Sequence, residues 1–235
     1  MIYQCYFKKE QEPRLFTKEP YRGFGLEPDV NPTLLNNCPE LADENTRLAL
    51  VEYAAFLHIW RNLPFDNDDW IGFTSYRQTD KTNFIFKSKQ QIEDAFLRHD
   101  LVAWHVLSVI GSRTHSLKGA AAQAEIYHPM LHEFTTSILG HFGIVIPKAY
   151  YFAQEVPYAN YWAMSKTLFA SFMTWSWPMV QYALTVDHAY KRNDKSSNPT
   201  DDKRKAVGYF MERLFIIWTM LKALRIVRFG RLRRA

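Results

Sequence analysis

The chain has 235 residues, 47% of them apolar and 23% charged, with 9 glycines, which suits one globular domain and excludes collagen-like, low-complexity and disordered chains. Its two cysteines, Cys5 and Cys38, form neither a disulfide framework nor a metal-ligand spacing, and read as free thiols in a reducing compartment. The net charge of +5 sits at the end, in Lys222, Arg225, Arg228, Arg231, Arg233 and Arg234, so the near-neutral body lacks the basic stripe of a nucleic-acid-binding protein.

Residues 2–7 lack the regions of a secretory signal and alternate as a buried strand. No run reaches the ~18 apolar residues of a membrane span, so a soluble, cytoplasmic protein is expected. Residues 8–38, rich in Pro, Gly and Asn, read as an extended loop. A helix is expected from Asp43 to Asn62, stopped by Pro64. Residues 68–76 have an apolar middle that suits a strand in a covered sheet. Ser88 caps a short helix through Arg98, Leu101–Val109 read as a strand, and residues 111–123 have the composition of a mobile lid. Pro129 opens a helix that Gly143 ends. Tyr158–Met164 read as a strand, after which Ser165 caps a long helix kinked by Pro178. Residues 191–203 form a solvated loop. A last helix, from about Lys205 to Leu224, continues into the basic tail. Alternating strands and helices imply an α/β sheet protein with a helical C-terminal extension.

There is no phosphate-loop motif, Gly-x-Gly-x-x-Gly, Gly-x-Ser-x-Gly or His-Glu-x-x-His. Of eight histidines, His128 and His132 share a helix face beside Glu133, either as a metal pair or as two surface residues without a third ligand. The informative run is Glu52-Tyr-Ala-Ala-Phe-Leu-His-Ile-Trp-Arg-Asn62 followed by Asp68-Asp-Trp-Ile-Gly-Phe-Thr-Ser-Tyr-Arg-Gln78. A helix presents Glu52, and a buried strand ends in Tyr76-Arg77. Ligands of open α/β sheets sit at the carboxyl ends of strands, where an arginine suits a diphosphate; a surface arginine after a core strand is the other reading of Arg77. Glu52, on an otherwise apolar helix, is costly to bury alone, so it meets a ligand or a structural arginine. Trp175, Trp177 and the run Phe215-Ile-Ile-Trp218 are either core or an interfacial membrane face beside the cationic tail.

The run resembles the capsular-polysaccharide glycosyltransferase family first catalogued as a domain of unknown function. Ile2-Tyr-Gln-Cys-Tyr-Phe-Lys8 resembles its first strand, Asn160-Tyr-Trp-Ala-Met164 with Ser-Lys-Thr-Leu-Phe169 a later segment, and Gly208-Tyr-Phe-Met-Glu-Arg-Leu-Phe215 its closing helix. Gln78 stands where the family has a second arginine, and Ser75 and Phe7 where it has histidines. The resemblance implies a GT-A-like mixed sheet flanked by helices, with residues 1–190 binding a nucleotide sugar and 191–235 completing the domain.

It also implies transfer of a sugar from a nucleotide-diphosphate donor to a glycan or lipid-linked acceptor in polysaccharide or capsule assembly. Lys8, Glu52, Tyr76, Arg77 and Asp80 would bind the donor, and Asn160 and Trp162 the sugar or acceptor, with a core aromatic as the other reading of Trp162. Familiar GT-A enzymes hold a divalent metal on an Asp-x-Asp, which Tyr76-Arg77-Gln78 replaces here. No cofactor is therefore expected; Arg77, with Lys8, would neutralise the leaving diphosphate, while Asp80 keeps a Mn- or Mg-assisted route open. Glu212 is the candidate general base or an acid balancing the helix dipole. A membrane surface would be met through residues 215–235. The alternative is a non-catalytic, membrane-peripheral binding protein with a degenerate transferase fold.

Overall fold

A computed structural model describes residues 1–62, 70–78, 86–104, 106–108, 119–121, 128, 130–153, 155–157, 160–186, 206–229 and 233–234. The strands are β1 (Ile2–Tyr6), β2 (Tyr21–Gly25), β3 (Trp70–Ser75), β4 (Leu101–Ala103), β5 (Val106–Ser108), β6 (Glu155–Pro157), β7 (Trp162–Ser165), β8 (Ile226–Arg228) and β9 (Arg233–Arg234). The helices are α1 (Glu44–Leu50), α2 (Tyr53–Asn62), α3 (Lys89–Phe96), α4 (Leu131–His141), α5 (Lys148–Phe152), α6 (Lys166–Val186) and α7 (Ala206–Leu221). Among the described residues, six strands form a mixed sheet in the order β2-β1-β3-β7-β4-β8, in which only β7 runs antiparallel to its neighbours. A smaller sheet has the order β6-β5-β9.

Period-two side-chain alternation divides the main sheet between two cores. Trp162 and Met164 enter the larger core with α2, α6 and α7, whereas Tyr161 and Ala163 enter the smaller one with Ile92 of α3. The larger core is built around rings: Phe73 lies 4.1 Å from Phe56 and 5.0 Å from Trp162, which stacks on Phe215 of α7 at 4.8 Å and 12°. Strand β7 passes close to β3 because Gly72 has no side chain; a Cβ there would lie 2.8 Å from the Ala163 Cβ.

Local signals work as expected where they are chemical. Asp43 caps α1 by accepting from the Thr46 N–H at 2.7 Å, and Ser88 with Gln91 forms the reciprocal cap of α3. Gly143 ends α4 with φ +67°. Pro178 lies inside α6, which continues through it.

Three expectations about the elements need correction. Residues 8–38 contain β2, whose glycines and arginine conceal a strand that its parallel ladder with β1 supplies. The helix expected over 43–62 is two helices, broken at Val51 with φ +51° and ψ −127°. Gly208 of α7 approaches this break: a Cβ there would be 3.2 Å from a Val51 methyl. The strand expected over 101–109 divides between the two sheets.

The tail is not a helical appendix. Helix α7 ends at an Ala223 with φ +50°, and the chain turns back as β8 beside β4. Arg225 grips Asp100 through Nε and Nη2 at 3.1 and 2.9 Å, and Arg228 meets Glu155 at 3.0 Å. Phe215, Ile216, Ile217 and Trp218 are core residues, which removes them from the membrane surface expected over 215–235. Trp177 is buried too, and Trp175 packs against the core. Among the described residues no helix is long and apolar enough to cross a membrane. The expected lid falls largely outside the described residues, as do Asp80, Pro129 and the 191–203 loop.

Candidate functional site

Strands β1 and β3 are adjacent and parallel, so their carboxyl ends emerge together: the Tyr76 N–H donates to the Cys5 carbonyl at 2.9 Å. Strand β7 runs the other way, which brings its first residues to the same edge. There the hydroxyls of Ser75 and Tyr161 lie 2.5 Å apart, and the Arg77 N–H donates to Ser75 Oγ at 3.3 Å. The preceding Asn160 is buried with φ +53°, a conformation asparagine tolerates better than most residues. Its side-chain amide makes no hydrogen bond among the described residues.

The break at Val51 decides where Glu52 goes. A β-branched residue at positive φ is strained, at a cost of about 1–3 kcal/mol. The break puts Glu52 at the start of α2, where its carbonyl accepts the first helical N–H groups, rather than at the helix centre as the sequence suggested. Its carboxylate is half-buried and has no hydrogen-bond or ion-pair partner among the described residues. Its charge is felt at two groups of the edge, adding to the burial that pushes the Cys5 thiol and the Tyr161 phenol up. Arg77 acts on the same phenol in the opposite sense. Arg77 itself is exposed, and its guanidinium has no ion-pair partner among the described residues.

Around this centre, Lys8 is exposed just beyond β1, and the Tyr76 ring is covered by the Arg14 guanidinium at 5.3 Å. Gln78 turns away from the edge. It is fully buried and donates through Nε2 to Gln4 Oε1 at 2.5 Å, while Gln4 also pairs with both backbone groups of Phe16 at 2.8 Å. The strand end therefore presents one guanidinium.

A pocket of about 270 Å³ lies beside β2, lined by Tyr3, Arg22, Phe24, Asn31, Thr33 and His58; Tyr6, at the carboxyl end of β1, also lines it. The His58 Nδ1 lies 3.0 Å from the Leu34 carbonyl, which can only accept, so Nδ1 carries the proton and Nε2 is the ring's acceptor. Burial holds the His58 pKa below its ordinary value. The sequence reading missed this pocket because β2, its floor, was hidden in an apparent loop.

Two further expected residues lie on β7 and α7. Trp162 is 1% exposed and walled by Phe56, Phe73 and Phe215, so its faces are taken by protein rings and do not stack on a sugar. Glu212 lies on α7, on the stripe between Gly208, which faces Val51, and Phe215, which stacks on Trp162; one of its oxygens is fully buried. His128 stacks on Tyr209 of α7 at 3.4 Å and His132 packs near Tyr150 and Tyr151. Among the described residues no group of three His, Cys, Asp or Glu side chains could hold a metal, so that pair has no third ligand there. Cys5 and Cys38 are both free and buried.

No protein-family model matches the chain, and no curated protein matches it. Among solved structures it is similar to WbbM, a bifunctional glycosyltransferase in an apo structure, with a TM-score of 0.63 and 16% identity over 100% of this chain. The chain spans 45% of the WbbM chain. The fold is therefore a mixed α/β fold shared with part of a glycosyltransferase.

Proposed function

We propose that the chain is a glycosyltransferase that moves a sugar from a nucleotide-diphosphate donor to a glycan acceptor. The observation that carries this reading is the meeting of Arg77, Glu52 and Asn160, each without a protein partner among the described residues, at the carboxyl ends of parallel strands. Buried or half-buried polar groups such as Asn160 and Glu52 are normally satisfied by protein; left unsatisfied at this kind of sheet edge, beside the exposed Arg77, they suit a polar ligand. The likeness to a glycosyltransferase fold supports the same class.

In this reading the nucleoside lies in the pocket beside β2, against Tyr3, Phe24 and His58. The diphosphate reaches Arg77, with Lys8 beyond it, and Glu52 and Asn160 bond the hydroxyls of the donor sugar. The acceptor oxygen bonds to the anomeric carbon as the carbon–diphosphate bond breaks. The nucleoside diphosphate leaves with its charge against Arg77, and the acceptor proton passes to a carboxylate, for which Glu212 is the proposed base. Residues 1–190 would then hold the donor, with 191–235 closing the same unit through α7 and β8. A lipid-linked acceptor in polysaccharide or capsule assembly would meet the chain away from the buried Phe215–Trp218 run, near the exposed Leu221 and Lys222.

The test is a thermal-shift and calorimetric screen of UDP, GDP, CMP and TDP sugars, each with and without manganese. A donor at about 100 times its Kd adds about 2.7 kcal/mol, so one nucleotide class should raise Tm by several degrees. Glu212→Gln should then abolish transfer and retain donor binding. The buried Gln78 favours a second reading, a binding protein with a degenerate transferase site, because β3 ends in one arginine where the resembling family has two. Stabilisation by a nucleotide sugar without any turnover would select it.

A further inference from the structure

We infer that Tyr161 is a positioning residue that aims Arg77, an inference that rests on the donor-binding reading above. Tyr161 immediately precedes the antiparallel β7 and Ser75 closes the parallel β3, 86 residues earlier in the chain, and their hydroxyls meet at 2.5 Å. Ser75 Oγ in turn accepts the Arg77 N–H at 3.3 Å. The three groups form a short relay that ends on the backbone of Arg77.

Three features distinguish this relay from ordinary core packing. Both hydroxyls are buried, at 2% and 3% exposure, so water does not compete for them and a missing partner would be costly. The main chain of Tyr161 is held separately: its carbonyl accepts the Trp104 N–H at 2.9 Å, which anchors the residue to the neighbouring strand. The phenol also lies within the fields of Glu52 and Arg77 together. A residue fixed by its backbone, whose hydroxyl holds the serine that accepts the Arg77 N–H, is suited to set how Arg77 leaves the strand. Past the end of β3 the chain leaves the ladder, and Ser75 Oγ is the hydrogen-bond partner found for the Arg77 N–H. Without Tyr161, the serine hydroxyl can rotate away and Arg77 samples a wider range of directions, so a diphosphate has to order it on binding.

The experiment uses the full chain with inorganic pyrophosphate as the probe, read by calorimetry, together with the hydrogen-exchange rate of the Arg77 amide. Tyr161→Phe keeps the ring and removes only the hydroxyl; Ser75→Ala removes the other half, and Ser75→Thr keeps a hydroxyl. Tyr161→Phe and Ser75→Ala should each speed Arg77 exchange about tenfold and weaken pyrophosphate about tenfold. The double variant should be no weaker than either single one, Ser75→Thr should recover binding, and Tyr161→Phe should have no effect in an Arg77→Ala background. Wild-type affinity in Tyr161→Phe, with weakened affinity in Arg77→Ala, overturns the positioning role and leaves the donor reading standing. A tenfold loss that persists in the Arg77→Ala background also overturns it, because Tyr161 then acts by another route. Equal pyrophosphate affinity in wild type and Arg77→Ala overturns the diphosphate role of Arg77, and the inference with it. If Tyr161→Phe does not fold, Ser75→Ala against Ser75→Thr decides the same question.

Discussion

The strand-end edge and the C-terminal tail both carry arginines, and they treat them oppositely. In the tail, Arg225 closes on Asp100 and Arg228 on Glu155, so two of the most conspicuous cations in the sequence fasten β8 to its surroundings. At the edge, Arg77 has no ion-pair partner among the described residues. Arg61 makes the contrast sharper, since it is bidentate to Glu40 and lies over the Trp177 ring. A run of charge in the sequence marks where cations are plentiful, whereas a site needs a cation whose counter-charge the protein withholds.

The largest expected effect separates the core beneath the edge from the edge itself. Trp162→Ala should cost about 3–5 kcal/mol in denaturant unfolding; a loss under about 1 kcal/mol would mean that the ring is available to a ligand after all. Next is the pair of arginines. Arg77→Ala should weaken a nucleotide-sugar donor tenfold or more and change stability by no more than about 0.5 kcal/mol. Arg61→Ala should do the reverse, costing about 1 kcal/mol of stability with donor affinity unchanged. If both variants behave alike, the distinction between withheld and satisfied partners fails.

Acid should act at His58 before it acts at Glu40. Burial depresses the folded pKa of His58, so the unfolded chain takes up that proton first. The stability linked to His58 is present above about pH 6.5 and declines as pH falls below it. His58→Gln should flatten this part of the urea-midpoint profile. Arg61 holds Glu40 below the usual carboxylate range, so its contribution persists to lower pH and is lost only as pH falls through that depressed value. The smallest effect belongs to the exposed tail pair: Arg225→Ala should leave donor affinity unchanged and barely move the thermal midpoint, because solvent screens the ion pair.

Much of the architecture was legible because its signals are local. Asp43, Ser88 and Gly143 act as caps whatever surrounds them, and the apolar middle of β3 can only be a buried segment. The edge was partly legible as well: Arg77 at the end of β3 follows from strand position alone, whereas Asn160, expected within a strand from Tyr158, precedes β7. Trp162 could be read from sequence either as a sugar-stacking ring or as a core aromatic, because its neighbours Phe56 and Phe215 are distant in sequence. The two-helix break was invisible, since Val51 has no local reason to adopt positive φ; the approach of Gly208 from α7 accompanies it.

By itself, then, the sequence determined the strand and helix alternation, the capped ends, the absence of a disulfide framework and the chain positions of the residues that now frame the edge. Tertiary structure decided which polar groups remain without partners. It turned the basic tail into a sheet strand, buried Gln78 against Gln4, released Glu52 at a helix break and joined Tyr161 to Ser75. The reason is physical: covalent neighbours dictate local conformation, but whether a charge is paired or free depends on groups brought together from far along the chain.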